Sequence, residues 1–90
     1  MLAVHKYPMP CEDHFVMTLP IGARLLSVQV QRGQPCLWAI VDPSAANETR
    51  RFRFAGTGHP ITERAEVLVF VSTFQMEGGS LVFHVFEIIG

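Results

Sequence analysis

A short run in the second half of the chain combines residue types that bind anions. Residues 51–63 are RFRFAGTGHPITE, in which arginines alternate with phenylalanines before a glycine-rich loop. Successive N–H groups in such a loop can point at one anion, while a hydroxyl, an imidazole and nearby guanidinium groups add polar contacts. The alternation places both arginines on one face of the strand that leads into the loop. We therefore predict a ligand- or partner-binding site that comprises Arg51, Arg53, Gly56, Thr57, Gly58 and His59.

The same loop has a purely structural interpretation. Gly56 and Gly58 supply backbone freedom, so the loop can be no more than the place where a strand turns a corner. It is not a Walker phosphate loop, because the GxxxxGK[ST] pattern and the long helix after it are both missing. The residues alone leave the binding interpretation and the turn interpretation open.

Three aromatic side chains are candidates for an interface with another chain. His84 is predicted to lie inside the last strand on an apolar face, where a histidine is usually a hydrogen-bonded core residue. Trp38 and Phe83 fall in strands that are apolar on both faces, so core packing explains them. An aromatic anchor at a subunit interface is the alternative for all three.

Patterns for catalysis and metal binding are missing from the sequence. The four histidines and two cysteines are scattered along the chain, without zinc-like spacing. Thr57 lies near His59, but the sequence shows no third group to orient them and no nucleophile elbow. We therefore predict a protein that is not an enzyme and that uses no cofactor and no metal ion.

Composition restricts the class of protein. The chain has 90 residues, enough for a single domain over 1–90, and 49% of them are hydrophobic, which excludes a disordered chain. A net charge of −1 provides no positive electrostatic potential that would attract nucleic acid. The apolar runs are too short to span a membrane and no signal-peptide core is evident. Cys11 and Cys36 could pair, but without a secretory signal we expect two free, buried thiols in a reducing compartment.

The charged fraction is low for so small a domain. At 17% it lies below the roughly 25% that is usual for globular domains. A small domain has a large surface for its volume, so few charges leave apolar surface to be covered by a partner chain. We therefore expect a homo-oligomer.

Short apolar runs and stretches of alternating apolar and polar residues predict strands almost throughout, separated by Gly- and Pro-containing turns. Apolar residues never recur at helical spacing over ten residues, although single helical turns are expected at 45–48 and 62–66. A Gly-Gly pair in the turn 77–80 predicts a hairpin. The pattern predicts an all-β fold, a small antiparallel β-sandwich or barrel of about seven strands with no substantial helix. The expected strands are 2–7, 14–19, 26–31, 36–41, 51–55, 66–76 and 81–89.

A series of motifs extends over essentially the whole chain. They are HKYP at 5–8, LPxGA at 19–23, LSVQVQ at 26–31, LWA and VDP within 37–43, GTGHP at 56–60, TF at 73–74 and HVFE at 84–87. In this order they resemble a family of small tailed-bacteriophage proteins with no established activity. The family commonly has Trp where this chain has His5 and Phe83, which keeps an aromatic residue and argues against an essential His5. The resemblance implies phage origin and expression in the cytoplasm of a bacterial host.

The residues and this context together favour a binding module. We expect it to sequester or block a bacterial host component, in host takeover or in anti-defence. The partner is either a host protein covered by a sheet face or edge, or a small nucleotide-like anion held by the glycine loop. The alternative is a structural role as a virion accessory or decoration subunit.

Overall fold

The computed structural model describes residues 1–90 as an all-β fold, which confirms the predicted fold class. The longest helical segments are 3-10 turns of three residues at Ala65–Val67 and Glu77–Gly79. No helix has the length and apolar character needed to cross a bilayer. The seven strands are β1 (Ala3–Pro8), β2 (His14–Pro20), β3 (Arg24–Gln31), β4 (Gln34–Val41), β5 (Asn47–Gly56), β6 (Leu68–Met76) and β7 (Leu81–Ile88).

The strands form two antiparallel sheets. The three-stranded sheet has the order β1-β4-β3, and the four-stranded sheet has the order β2-β5-β7-β6. The central place of β4 agrees with its apolar residues on both faces. The hairpin predicted around the Gly-Gly pair is confirmed, because β6 pairs with β7 and Thr73 lies opposite His84. Its turn needs left-handed backbone, with φ of 53° at Glu77 and 65° at Gly78.

One hydrophobic core lies between the sheets. Phe54 of β5 stacks on Phe83 of β7 with ring centroids 4.7 Å apart, and Phe15 stacks on Phe52 at 5.2 Å. The three-stranded sheet contributes its own inward residues, so the core binds the two sheets together. The twelve buried core residues are Met9, Phe15, Leu19, Ala23, Val28, Leu37, Ala39, Val41, Phe52, Phe54, Phe74 and Val85.

The two sheets adjoin along one side, where β3 runs beside β6. Each strand has a register irregularity there, at Leu25/Ser27 in β3 and at Phe70/Ser72 in β6. No backbone ladder joins them, and Ser72 Oγ instead donates to the carbonyl of Val28 at 2.9 Å. The architecture is therefore a sandwich closed on this side, with β1 and β2 as the free edges.

Two local predictions are wrong in their details. The segment 45–48 forms no helical turn, because Asp42 accepts hydrogen bonds from the backbone and hydroxyl of Ser44 and the chain enters β5 at Asn47. These hydrogen bonds lower the pKa of the Asp42 carboxyl. The turn expected at 62–66 lies slightly later, at Ala65–Val67, so β6 begins at Leu68.

Candidate functional site

The predicted binding residues lie on or beside the outer face of the four-stranded sheet. Arg51 lies between Val16 of β2 and Ile88 of β7. Residues directly opposite one another in antiparallel strands project to the same side. Phe52 and Phe54 are buried in the core, so both arginines of this strand segment project outward. The prediction that the arginines of this strand project outward and the phenylalanines inward is thus confirmed.

Arg53 is nevertheless buried, so its guanidinium is not free to meet a ligand. Its exposed fraction is 5%, because the segment 57–64 folds back over it. Its Nε donates to Glu63 at 3.0 Å, its Nη2 to the carbonyl of Pro60 at 2.9 Å and its Nη1 to the carbonyl of Phe54 at 2.6 Å. Arg53 therefore anchors the loop that was expected to hold a ligand.

Glu63 completes this anchor. Its second carboxylate oxygen lies 2.5 Å from Nε2 of His14, the residue opposite Arg53 on β2. The hydrogen bond from His14 is the largest cause that lowers the pKa of the Glu63 carboxyl, and Arg53 acts in the same direction. One carboxylate thus joins the loop to two neighbouring strands.

The backbone of the glycine loop is used within the fold. The N–H of Thr57 donates to the carbonyl of Val82 at 3.1 Å, and the N–H of His59 donates to that of Gly56 at 3.1 Å. Pro60 has no N–H. The conformation of the loop explains both glycines. Gly58 has a φ of +85°, and a Cβ on Gly56 would lie 3.0 Å from the His59 ring. The turn interpretation therefore accounts for this backbone.

A chain of hydrogen bonds crosses the sheet next to the loop. His84 lies between Thr57 Oγ1, 2.7 Å from its Nε2, and Thr73 Oγ1, 2.9 Å from its Nδ1. His84 is half-buried on the outer face, so the expected hydrogen bonding is present but the core location is wrong. Thr57 also lies beside a shallow depression of about 250 Å³ that includes His59 and Leu81.

The threonine and histidine have the spacing of a nucleophile and a base. The hydroxyl of Thr57 also lies 3.3 Å from the carbonyl of Val82, which accepts the N–H of Thr57 as well. That N–H is therefore not free to stabilise an oxyanion. No carboxylate hydrogen-bonds to His84. The arrangement fixes the loop to β7.

Sequence reasoning missed an apolar patch on the same outer face, formed by Leu68, Phe70, Phe86 and Ile88. Phe70 is 59% exposed and meets Phe86 edge-on at 5.8 Å. Arg51 borders this apolar patch beside Ile88, is exposed, and takes part in none of the ion pairs of the chain. The alternation of β7 places Phe86 and Ile88 on the face opposite that of Val85, but both faces are apolar, so the sequence does not show which of them is exposed.

The remaining candidates lie apart from the apolar patch. Phe83 packs in the core against Phe54 and Phe74, which satisfies the core-packing alternative. Trp38 is half-buried on the outer face of the other sheet, opposite Lys6. No three His, Cys, Asp or Glu side chains cluster as metal ligands. Both cysteines are free thiols as expected, but only Cys36 is buried. The expectation of a buried Cys11 is wrong, because Cys11 lies exposed in the connection between β1 and β2.

The chain matches the model of one protein family over residues 1–89. It belongs to this family, described as "Domain of unknown function (DUF7352)". No curated protein and no solved structure matches it. The family match thus covers all seven strands and brings no activity with it.

Proposed function

We propose that this member of the DUF7352 family is a non-enzymatic binding module, made in the bacterial cytoplasm during phage infection, that blocks a host protein. The docking surface is the apolar patch together with Arg51. The observation that carries the proposal is the exposed ring of Phe70, which packs edge-on against the half-buried Phe86 on the same face as Arg51, an arginine that has no acidic partner within the chain.

The chemistry of this surface supports one kind of partner. Aromatic residues and arginine are enriched in the buried centres of protein interfaces, where they account for much of the binding energy. The apolar patch fits aliphatic or aromatic side chains, and the planar guanidinium of Arg51 fits a carboxylate through two parallel hydrogen bonds. We therefore infer a partner surface with apolar side chains flanked by Asp or Glu.

The geometry supports a protein partner over a small anion. The N–H groups of Thr57 and His59 are occupied, and Arg53 is bonded to Glu63 and to backbone carbonyls. Of the residues proposed for anion binding, Arg51 alone keeps a free charged group. One exposed guanidinium without converging N–H donors is a weak site for a nucleotide-like ligand.

The test compares what the protein captures in host cells. Tagged wild-type protein, Phe70→Ser and Arg51→Glu are expressed in a bacterial host, and copurifying proteins are identified by mass spectrometry. Val4→Ser is the matched control, because Val4 is 58% exposed on β1 of the other sheet. The identified partner is then purified and titrated by calorimetry. We expect a loss of affinity of at least tenfold for both patch variants and none for the control.

Two outcomes would overturn the proposal. In the first, the partner binds Phe70→Ser and Arg51→Glu as tightly as the wild type. In the second, native mass spectrometry finds a retained small anion and no protein. Stoichiometric amounts of the protein in purified phage particles, without a host partner, would instead favour the structural role of a virion accessory or decoration subunit.

A further inference from the structure

The free edge of β2 carries a row of unpaired backbone groups. Within the β2–β5 pair, Asp13 accepts from Phe54 at 2.9 Å and Ile21 donates to Ala46 at 2.8 Å. Backbone groups of alternate residues point to opposite sides of an antiparallel strand. The backbone N–H and C=O groups of odd-numbered residues in β2 therefore point toward β5. The N–H and C=O groups that point to the free side belong to His14, Val16 and Thr18.

The free edge of β1 is built differently. The N–H of Met9 donates to the carbonyl of Pro35, so the backbone groups of odd-numbered residues in β1 point toward β4. The backbone groups of Val4, Lys6 and Pro8 therefore point to the open side. An edge lysine and a proline without N–H are the usual means by which proteins prevent a strand from pairing with another chain. The middle of β2 has neither. Its central residue Val16 is β-branched and 61% exposed.

We propose that β2 pairs antiparallel with β2 of a second copy of this chain, around a two-fold axis at Val16. Val16 then lies opposite Val16 of the partner subunit, and His14 lies opposite Thr18 of the partner subunit. In an antiparallel ladder each such pair exchanges two hydrogen bonds, so the three pairs form about six. Every backbone group left open on this edge is thereby satisfied.

A second copy fits this edge better than an unrelated peptide does. An antiparallel edge is its own complement under a two-fold axis, as symmetric dimers require. Pairing around Val16 brings no like charges together, because His14 is bound to Glu63 of its own chain and faces a threonine across the axis. On the inner side, the half-buried Met17 would be covered by Phe15 of the partner subunit.

The dimer would extend the four-stranded sheet to eight strands and double the outer face. Each Val16 is the neighbour of Arg51, so the row across the dimer contains Arg51, both valines and Arg51 of the partner subunit. With strands about 4.8 Å apart, the two arginines lie about 14 Å from each other. Both apolar patches then face the same side.

The two free edges supply a matched pair of variants for the test. Val16→Lys places a charge on the open edge of β2, and Val4→Lys does the same on β1, where Val4 is 58% exposed against 61% for Val16. Val16→Pro removes only an N–H that points away from β5, so the β2–β5 ladder keeps its hydrogen bonds. Sedimentation velocity is run over a wide concentration range, with circular dichroism as the check on folding.

For the wild type and Val4→Lys we expect a sedimenting species with about twice the 10.1 kDa mass of one chain. For both Val16 variants we expect a species with the mass of a single chain. Amide exchange should be at least tenfold slower at residues 14, 16 and 18 in the wild type than in Val16→Lys. A wild type that is monomeric at every concentration would overturn the proposal, as would a dimer that Val4→Lys dissociates and Val16→Lys does not. Phe70→Ser leaves β2 unchanged, so dimerisation and host-partner binding can fail independently.

Discussion

Two ion pairs on β5 hold different parts of the molecule. Arg50 projects between the sheets, where its guanidinium binds both carboxylate oxygens of Glu87 at 2.6 and 2.7 Å and the carbonyl of Ala23 at 2.6 Å. Arg53 projects to the outer face, where it binds Glu63 and three backbone carbonyls, those of Asp13, Phe54 and Pro60. The first pair links strands, and the second links a loop to a strand.

The difference shows what an alternating strand pattern can and cannot specify. Position along β5 determines which face each arginine occupies, but the residue that meets it comes from a distant part of the chain. Glu87 is 37 residues from Arg50, while Glu63 is 10 residues from Arg53. Arg51, between them, meets no carboxylate and stays exposed. Three neighbouring arginines therefore have three roles.

The largest effect on stability is expected at the outer pair. Arg53→Ala removes a buried guanidinium and leaves the carbonyl of Pro60 and one oxygen of Glu63 without their donors. Breaking a buried ion pair typically costs 3–5 kcal/mol, and we expect about 3 kcal/mol in the free energy of unfolding. Urea denaturation measures it. Arg51→Ala is the control and should stay within about 0.5 kcal/mol. Equal losses in the two variants would contradict the structural role of Arg53.

A smaller loss is expected at the inner pair. Glu87→Ala leaves Arg50 with one carbonyl acceptor, but both side chains keep about 15% exposure, so water compensates in part. We expect a loss of about 2 kcal/mol, and near-recovery in the double variant Arg50→Met/Glu87→Leu, because an apolar pair of similar volume removes the buried charge. Thermal and urea unfolding test this. A double variant less stable than Glu87→Ala would show that the pair itself contributes net stability.

The sequence was informative wherever local pattern decides the structure. Apolar runs and period-two alternation, separated by turn residues, located all seven strands, and the Gly-Gly pair at 78–79 located the β6–β7 hairpin. The alternation of β7 also places Glu87 on the same face as Val85, where it pairs with Arg50. These features depend on side-chain direction within a strand, which a single chain segment specifies.

Features that depend on tertiary contacts were not predictable. Nothing in RFRF distinguishes Arg51 from Arg53, because the segment that covers Arg53 folds back from beyond the loop. His84 was correctly placed on an apolar face of β7. Whether that face meets the core depends on how the two sheets stack, which the sequence does not show. The apolar patch around Phe70 was missed for the same reason, since apolar residues on both faces of β6 and β7 conceal which side is exposed.

The loop anchored by Arg53 begins at a strained turn, where a further loss is expected. Gly58 has a φ of +85°, which costs a residue with a Cβ roughly 1–2 kcal/mol, and we expect Gly58→Ala to lose about 1 kcal/mol. At Gly56 the new Cβ would meet only the exposed His59 ring, which can move aside. Gly56→Ala should therefore cost less, and nothing once His59→Ala is also present. A larger loss at Gly56 would indicate that the His59 ring is fixed.

The smallest expected effect is a dependence of stability on pH, which tests the outer ion pair without removing an arginine. The pKa of the Glu63 carboxyl lies below its ordinary value of 4.5, chiefly because of the hydrogen bond with His14 and with a further contribution from Arg53. A lowered pKa means that the folded state holds this proton less tightly than the unfolded state does. The stabilisation is therefore complete above about pH 5 and is lost as the pH falls through 4.5 toward the lower pKa of the folded state.

In Glu63→Gln the side chain cannot titrate, so the urea midpoint should fall less steeply between about pH 5 and pH 3 than in the wild type. Glu12→Gln, at an exposed position with no ion pair, is the control and should follow the wild-type curve. If Glu63→Gln and the wild type have the same slope below pH 5, the carboxylate does not hold the loop, and Arg53 anchors it through the backbone carbonyls alone.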